Sequence, residues 1–432
     1  MREMKDSGVE WIGEIPKNWK VERLRYIIKD YKSGPFGSAL KMDGLLPDGN
    51  ILIYSPEHIT LHSSDSDKNL YLPDEREEEM SQFMVKENDI LFPIVGSLGK
   101  AMIITSDMPK GIINQRVAKF QIDNAIVEQD YFMWLFAKSN FYQPYIDISC
   151  RGSFIVNLTK AIINDMPCVI QPLAIQKKIS TYLDTKCTKI DEIIEKQQVL
   201  IEKLKEYKLS IITEAVTSGI NTNVEMKDSG SVWFGNIPIN WKMKRLKYVF
   251  HIQKDIAGEE GHTVLSITQR GIIPKDFSNN EGQFANSYAN YQLVHKGDFA
   301  MNHMDLLTGW VDISKYEGVT SPDYRVFVLN DKNGMCSEYY LYMMQMCYSA
   351  RIFYGLGQGV SGMGRWRLQA DKFLNFHIPI PPYDEQKMIA DYITDKANHI
   401  EAEIDKRNKL IEKYQEYKKS LIYEVVTGKK EV

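Results

Sequence analysis

MKDSGVEWIGEIPKNWKVERLRYI (4–27) and MKDSGSVWFGNIPINWKMKRLKYV (226–249) are one segment written twice, with 15 of 24 positions identical at a constant offset of 222. A second pair repeats at an offset of 210. PLAIQKKI (172–179) and PYDEQKMI (382–389) each run through a long Lys/Glu-rich stretch to EAVT (214–217) or EVVT (424–427). Repetition at this scale sets the architecture before any local reading does. Each copy has a Trp-containing lead (11–19; 233–241), a variable block (21–170; 243–380) and a closing block (173–217; 383–427).

The closing blocks carry the strongest periodicity. Ile175, Ile179, Tyr182, Ile190, Ile194, Leu200, Ile201, Leu204, Lys208, Ile211 and Ala215 recur at three- and four-residue steps. Met388, Ile389, Tyr392, Ile393, Ile400, Ile404, Leu410, Ile411, Tyr414, Leu421 and Val425 do the same. This spacing predicts one apolar stripe per helix. Two such stripes in one chain bury each other most simply as an antiparallel coiled coil. Pro172, Pro381 and Pro382 stand just before the helices and Gly219 and Gly428 just past them, as start and stop signals would. At 1.5 Å per residue each helix spans roughly 60–65 Å.

The variable blocks mix short strands with one aromatic helix each. Strands are expected at 51–60, 89–95, 101–105, 116–122 and 169–173, with counterparts at 263–269, 298–303, 310–314 and 325–330. Helices are expected at 131–139 and 339–347. Both blocks run in one order: an aspartate before a strand (Asp89, Asp298), a glycine turn (Gly99, Gly309), a strand opened by arginine (Arg116, Arg325), then the aromatic helix. The expected fold class is α+β: two similar mixed domains, two long antiparallel helices, and a pseudo-two-fold internal repeat.

Composition narrows the function classes. A chain of 432 residues with 44% hydrophobic and 25% charged residues fits a soluble protein of two or three domains. No apolar run approaches the roughly 18 residues of a membrane span. MREMKDSGVEW lacks the apolar core of a signal peptide. Five cysteines without CxxC spacing read as reduced thiols in a cytoplasmic protein, not as a disulfide framework or zinc site. The net charge of −4 argues against a sequence-blind polyanion binder and leaves room for local basic patches.

Catalytic signatures are missing or misplaced. GSLGKA (96–101) is too short for a phosphate loop. GQGVSG (357–362) fits G-x-G-x-x-G but follows an aromatic helix where a strand is needed, so it reads as a glycine turn. IPPY (380–383) is similar to the amino-methyltransferase motif, but Ile380 cannot bond an amine, and the string reads as a helix start. His58, His62, His295 and His303 form no ligand set. Trp19 and Trp241 read as packing anchors that dock each domain on the helices.

W-I-G-E-I-P-x-N-W (11–19), W-F-G-N-I-P-x-N-W (233–241) and P-[LY]-x-x-Q-K-x-I with its lysine-rich helix ending in E-[AV]-V-T resemble the repeats of specificity subunits of type I restriction-modification systems. The resemblance spans almost the whole chain. It implies a target-recognition domain at 1–170, a central helical region at 171–220, a second recognition domain at 221–380 and a closing helical region at 381–432. It further implies a non-catalytic cytoplasmic subunit that reads a split target on double-stranded DNA across an unread spacer. Partners would be two modification (methyltransferase) subunits and the restriction (translocase and nuclease) subunits, with no membrane. S-adenosylmethionine, ATP and magnesium would sit on those partners, with no cofactor or metal in this chain.

Sequence is read at base edges, where Arg and Lys favour guanine and Asn and Gln favour adenine, while phosphate contacts orient. Polar and basic positions at loops and strand ends are therefore the DNA-binding candidates. In the first domain they are Lys32, Ser33, Lys41, Lys100, Gln115, Arg116 and Arg151; in the second, Gln269, Arg270, His303, Tyr324, Arg325, Gln358, Arg365 and Arg367. Two other classes compete: an adaptor that only bridges partner proteins, and a stand-alone methyltransferase. A bipartite DNA footprint separates the first from the leading reading, and S-adenosylmethionine binding by the chain separates the second.

Overall fold

A computed structural model describes residues 2–36, 40, 44–64, 69–95, 99–150, 157–277, 286–359 and 366–432. The chain forms two compact units, Met1–Lys196 with Lys409–Val432, and Gln197–Asn408. Each unit thus holds one variable block, the first half of the helix that closes it, and the last half of the other long helix.

The long helices are Leu173–Ser218 and Tyr383–Val426. In the second unit Lys208 pairs with Glu401, and Arg407 Nη1 donates to Gln197 Oε1 at 2.8 Å. The numbers rise on one helix as they fall on the other, so the segments are antiparallel. The first unit holds the counterpart of Lys208–Glu401 at the 210 offset, Lys418 Nζ to Asp191 Oδ2 at 2.6 Å. Lys208 therefore flanks the seam as an ion-pair partner and is not part of the apolar stripe. Met388, Tyr392, Leu200 and Leu410 are exposed, while their neighbours Ile389, Ile393, Ile201 and Ile411 are buried. The seam is narrower than the stripe read from the sequence, because a paired helix buries fewer positions per turn than a helix on a broad core.

Each unit is built on a four-stranded antiparallel sheet. In the first the spatial order is Ile28–Ser33, Val117–Ile122, Ile90–Pro93, Met102–Ile103; in the second it is Phe250–Gln253, Arg325–Leu329, Phe299–Met301, Val311–Ile313. The order is the same, and so is a flanking pair: Lys20–Arg23 with Pro167–Ile170, and Lys242–Arg245 with His377–Ile380. Asp89 and Asp298 shape one turn twice, accepting from the backbone N–H three residues back (Lys86 and His295) at 2.9 Å. A parallel approach also recurs, Leu52 with Gly111 and Val264 with Val319. Glycine is required beside it, since a Cβ on Gly111 or Gly318 would lie 2.3 Å from the Leu52 or Thr263 carbonyl oxygen.

One expected strand is only half strand. Ile51–Tyr54 is extended, but Pro56–Leu61 is helix. Ser55 caps it, with Pro56 in the first turn and His58 Nδ1 accepting from the Ser55 N–H at 3.0 Å. His58 is thus a structural cap.

The repeated sequence motifs join the sheet layer to the helices. Gln176 lies buried at the start of its helix. Its Oε1 accepts from Glu128 N–H at 2.7 Å, and its Nε2 donates to Ile126 O and Gln171 O. Gln386 repeats this toward Cys336 N–H (3.0 Å) and Pro381 O (3.0 Å). The aromatic helices Gln129–Phe136 and Ser337–Ser349 are tied in the same way, Tyr131 Oη donating to Val169 O and Tyr339 Oη to Pro379 O. Trp19 packs against Gly428 and Trp241 against Gly219, and both glycines are left-handed at φ +74° and +81°. All five cysteines are free thiols.

Candidate nucleic-acid interface

The strand registers fix which residues of the two units correspond. Ile90 pairs with Phe120 and Phe299 with Phe327, so Phe120 matches Phe327. Counting back along the strand, Arg325 matches Ala118. The expectation that Arg116 and Arg325 are equivalent is therefore wrong by two residues. Arg116 is exposed in the turn before the strand, whereas Arg325 lies inside the sheet and is buried. The first unit's edge strand, Ile28–Ser33, also carries a one-residue bulge opposite Lys119–Gln121.

With that register, one cleft occurs at the same place in both units. Its floor is the strand after the aspartate turn, closed by a matching hydrogen bond: Leu158 N–H to Ile94 O, and Leu368 N–H to His303 O, both 2.9 Å. One wall is the end of the sheet's edge strand and the other is the segment leading to the next short helix. In the first unit the cleft is about 540 Å³ and includes Lys32, Ser33, Phe36, Asn157 and Lys160. In the second it is about 610 Å³ and includes Lys254, His303, Arg325, Gln358 and Arg367. No carboxylate lines either cleft among the described residues, although the chain as a whole carries a net charge of −4.

The structure places the candidates unevenly. His303, Tyr324, Arg325, Gln358 and Arg367 converge on the second unit's cleft. Lys32 and Ser33 line the first, where Lys32 bonds Gln82 and lies 5.3 Å from the Phe83 ring centroid. Gln115 and Arg116 are exposed in the neighbouring turn, whose Asn114 abuts Gly34. Lys100 lines a separate hollow with Thr60 and Lys138. Gln269 and Arg270 form an exposed hairpin turn, with Gln269 Nε2 donating to Thr308 O at 3.4 Å. Lys41, Arg151 and Arg365 lie outside the described residues. Sequence reasoning missed Lys254, Gln292 and Gln369 in the second cleft and Asn157 and Lys160 in the first. Lys254 stands at the strand-end position that Ser33 holds in the other copy, a signal readable only once the bulge is known.

Other motifs resolve as structure. Gly357 and Gly359 leave room for the Trp366 indole, which their Cβ atoms would meet at 2.5 and 2.7 Å, so the glycine string there is a hairpin packing device. Residues 360–362 of that string, and 96–98 of GSLGKA, lie outside the described residues. Among the described residues no group of His, Cys, Asp and Glu is placed to hold a metal ion. No helix among them is long and apolar enough to cross a membrane.

Electrostatics in the second cleft are unusual. Arg325 is buried, with Nη2 donating to Leu368 O at 2.9 Å and the guanidinium 5.1 Å from the Phe373 ring centroid. Burial, opposed by Tyr348 and helped by Arg367, lowers its pKa to about 10, so it stays charged at neutral pH. His303 is pulled down to about 3, first by burial and then by Arg325, Arg367 and Lys254. It is neutral in the fold at pH values where an unfolded histidine, at 6.5, is protonated. The native state therefore binds fewer protons between about 3 and 6.5. His303 costs nothing above that window, and stability falls as pH drops through it. His303→Gln is expected to flatten the acid-side loss of stability of the second unit below pH 6.5. An unchanged slope in pH-dependent denaturation would contradict this assignment.

Known proteins agree with this architecture. Residues 17–203 and 238–413 match the family described as the type I restriction modification DNA specificity domain. The chain is 25% identical to the type I restriction enzyme MjaVIII specificity subunit of Methanocaldococcus jannaschii, covering 96% of this chain and 93% of that protein. It is 24% identical to the putative type I restriction enzyme MjaX specificity subunit of the same organism, covering 97% and 95%. In fold it is similar to a chain solved in work on complex assembly and conformational transition of the type I R-M system (TM-score 0.68, 12% identity, 95% and 98% covered). It is also similar to the HsdS subunit from Thermoanaerobacter tengcongensis (TM-score 0.51, 13% identity, 96% and 98% covered). With two matched segments spanning most of its length, the chain belongs to the type I restriction modification DNA specificity domain family and carries that domain twice.

Proposed function

We propose that this chain is the non-catalytic DNA-reading subunit of a type I restriction-modification complex, recognising a split target with one half read by each unit. One observation carries the reading: a single scaffold presents the same cleft twice, without a carboxylate among the described lining residues and with different side chains at matched positions. Ser33, Ile94, Ala118 and Asn157 stand in the first unit where Lys254, His303, Arg325 and Arg367 stand in the second. Two readers with one frame and different contacts suit two different half-sites. A purely bridging adaptor has no use for paired cationic clefts. The helices of 46 and 44 residues would set the unread spacer by their length, roughly 66–69 Å at 1.5 Å per residue. A DNA turn measures about 34–36 Å, so such a ruler reaches well beyond one turn.

The working site is cytoplasmic. Modification and restriction subunits are the partners, and they hold S-adenosylmethionine, ATP and magnesium, leaving this chain without a cofactor. The test is adenine-methylation mapping in cells that express the chain with its modification subunits. The expected result is an interrupted motif. Exchanging residues 21–170 for those of a relative should change one half of it and leave the spacer and the other half as they were. An uninterrupted motif, or a change in both halves, defeats the proposal. Uptake of S-adenosylmethionine by the chain alone would favour a methyltransferase instead.

A further inference from the structure

The two clefts share a frame but not a charge state. In the second, three cations face one space without a carboxylate among the described lining residues. Lys254 and Arg367 are exposed at its rim, while Arg325 is only 4% exposed at its floor. Arg325 Nη1 and His303 Nδ1 are both buried without a hydrogen-bond partner among the described residues. Buried donors are normally satisfied, and an orphaned guanidinium N–H beside two further cations implies a missing anion. The stacked contact with Phe373 and the bond to Leu368 O hold the guanidinium in place and leave one edge free. The counterpart cleft has Ala118 in place of the buried arginine and Asn157 in place of Arg367, so this feature belongs to the second unit alone.

We propose that the second unit's cleft is a phosphoryl-binding seat, filled by a backbone phosphate of the bound duplex. Arg325 Nη1 donates from the floor, Arg367 and Lys254 close over the remaining oxygens, and neutral His303 supplies Nδ1–H. A single free edge on Arg325 suits a phosphate oxygen better than guanine, whose O6 and N7 call for two parallel donors. The seat would fix the register of this unit on the duplex without choosing a base, leaving base choice to other positions such as the Gln269–Arg270 turn. The inference rests on the DNA-reading assignment.

Arg325 is buried and its replacement risks misfolding, so the rim residues carry the test. Arg367→Gln and Lys254→Gln are made in the full chain, and duplex binding is measured across salt concentrations on the mapped target and on duplexes with single-base changes. Each variant is expected to weaken binding about 3–10-fold on every duplex and to lower the slope of log K against log salt, by no more than about 0.9 because the seat neutralises one phosphate. In a second arm inorganic phosphate is titrated with His303 observed by NMR. Weak phosphate binding that is displaced by duplex supports the seat. Phosphate binding unaffected by duplex would mean a free anion is the ligand, and overturns the backbone assignment. Altered base preference in the variants would make the cleft a base reader, and also overturns it. An unchanged salt slope with intact duplex binding ends the inference alone, whereas a wild-type chain that binds no duplex ends the functional proposal.

Discussion

Replacing Trp241 with alanine is expected to destabilise the second unit by about 3–5 kcal/mol, the range for emptying a large aromatic from a core. Trp241 is fully buried. Its ring lies against Gly219 at the end of the first long helix, which Pro238 also approaches, at the junction of lead segment, sheet layer and helix. Its indole Nε1 has no partner among the described residues, so truncation strands no acceptor and the cost is packing. Gly219 cannot move in to fill the void without leaving the left-handed turn that ends the helix. Trp19 against Gly428 forms the same joint in the first unit, so Trp19→Ala should act there by a similar amount. A single melting point would blur two units. Hydrogen exchange resolved by segment is the better readout. Loss of protection in 212–249 and 373–393, with 90–136 unaffected, is the expected result. A cost below about 1 kcal/mol would show that Trp241 is not the joint described here.

The second large effect belongs to Lys119. Its ammonium is buried with the Asp89 carboxylate at 2.7 Å, and their side chains are only 7% and 2% exposed. Asp89 also accepts from Gln121 Nε2 and from Lys86 N–H, each at 2.9 Å. Removing one partner of such a pair leaves a buried charge uncompensated, at a cost of about 3–5 kcal/mol. Lys119→Val is expected to destabilise the first unit by that amount. The substitution is sterically plausible, because Val326 holds the same register position in the second unit. There Asp298 turns to His295 instead, with Nδ1 at 3.3 Å. Adding Asp89→Asn should recover most of the loss, since an amide keeps the Lys86 bond without the charge. Urea denaturation of the two single variants and the double variant closes the cycle. Additive losses would mean the pair is not coupled as its geometry implies.

Much of this was legible in the chain. The sequence pattern places the helices at 173–217 and 383–427, and they run Leu173–Ser218 and Tyr383–Val426. Helical periodicity, proline starts and glycine stops are local signals that tertiary contacts rarely override. The strands around Asp89 and Asp298 are legible as short apolar runs bounded by turn residues, whereas 56–61 is helix because Ser55, Pro56 and His58 form a cap within four residues. The site was less legible. Gln269, Arg270, Gln115 and Arg116 are polar or basic residues at loops and strand ends, and the fold gives them exposed turns outside the two clefts.

The sequence by itself determined that one domain is written twice, that each copy is closed by a long helix, and that the paired Trp residues serve the frame. All of these follow from patterns repeating over a few residues or at a constant offset. Only the tertiary structure decided that Arg325 sits at the position of Ala118, and that Lys254, His303 and Arg367, far apart in the chain, face one space. It also decided that each unit is completed by the end of the other unit's helix. The reason is register. A bulge of one residue and a strand offset of two move a side chain from an exposed turn to a cleft floor, and no local spacing records which partner strand lies alongside.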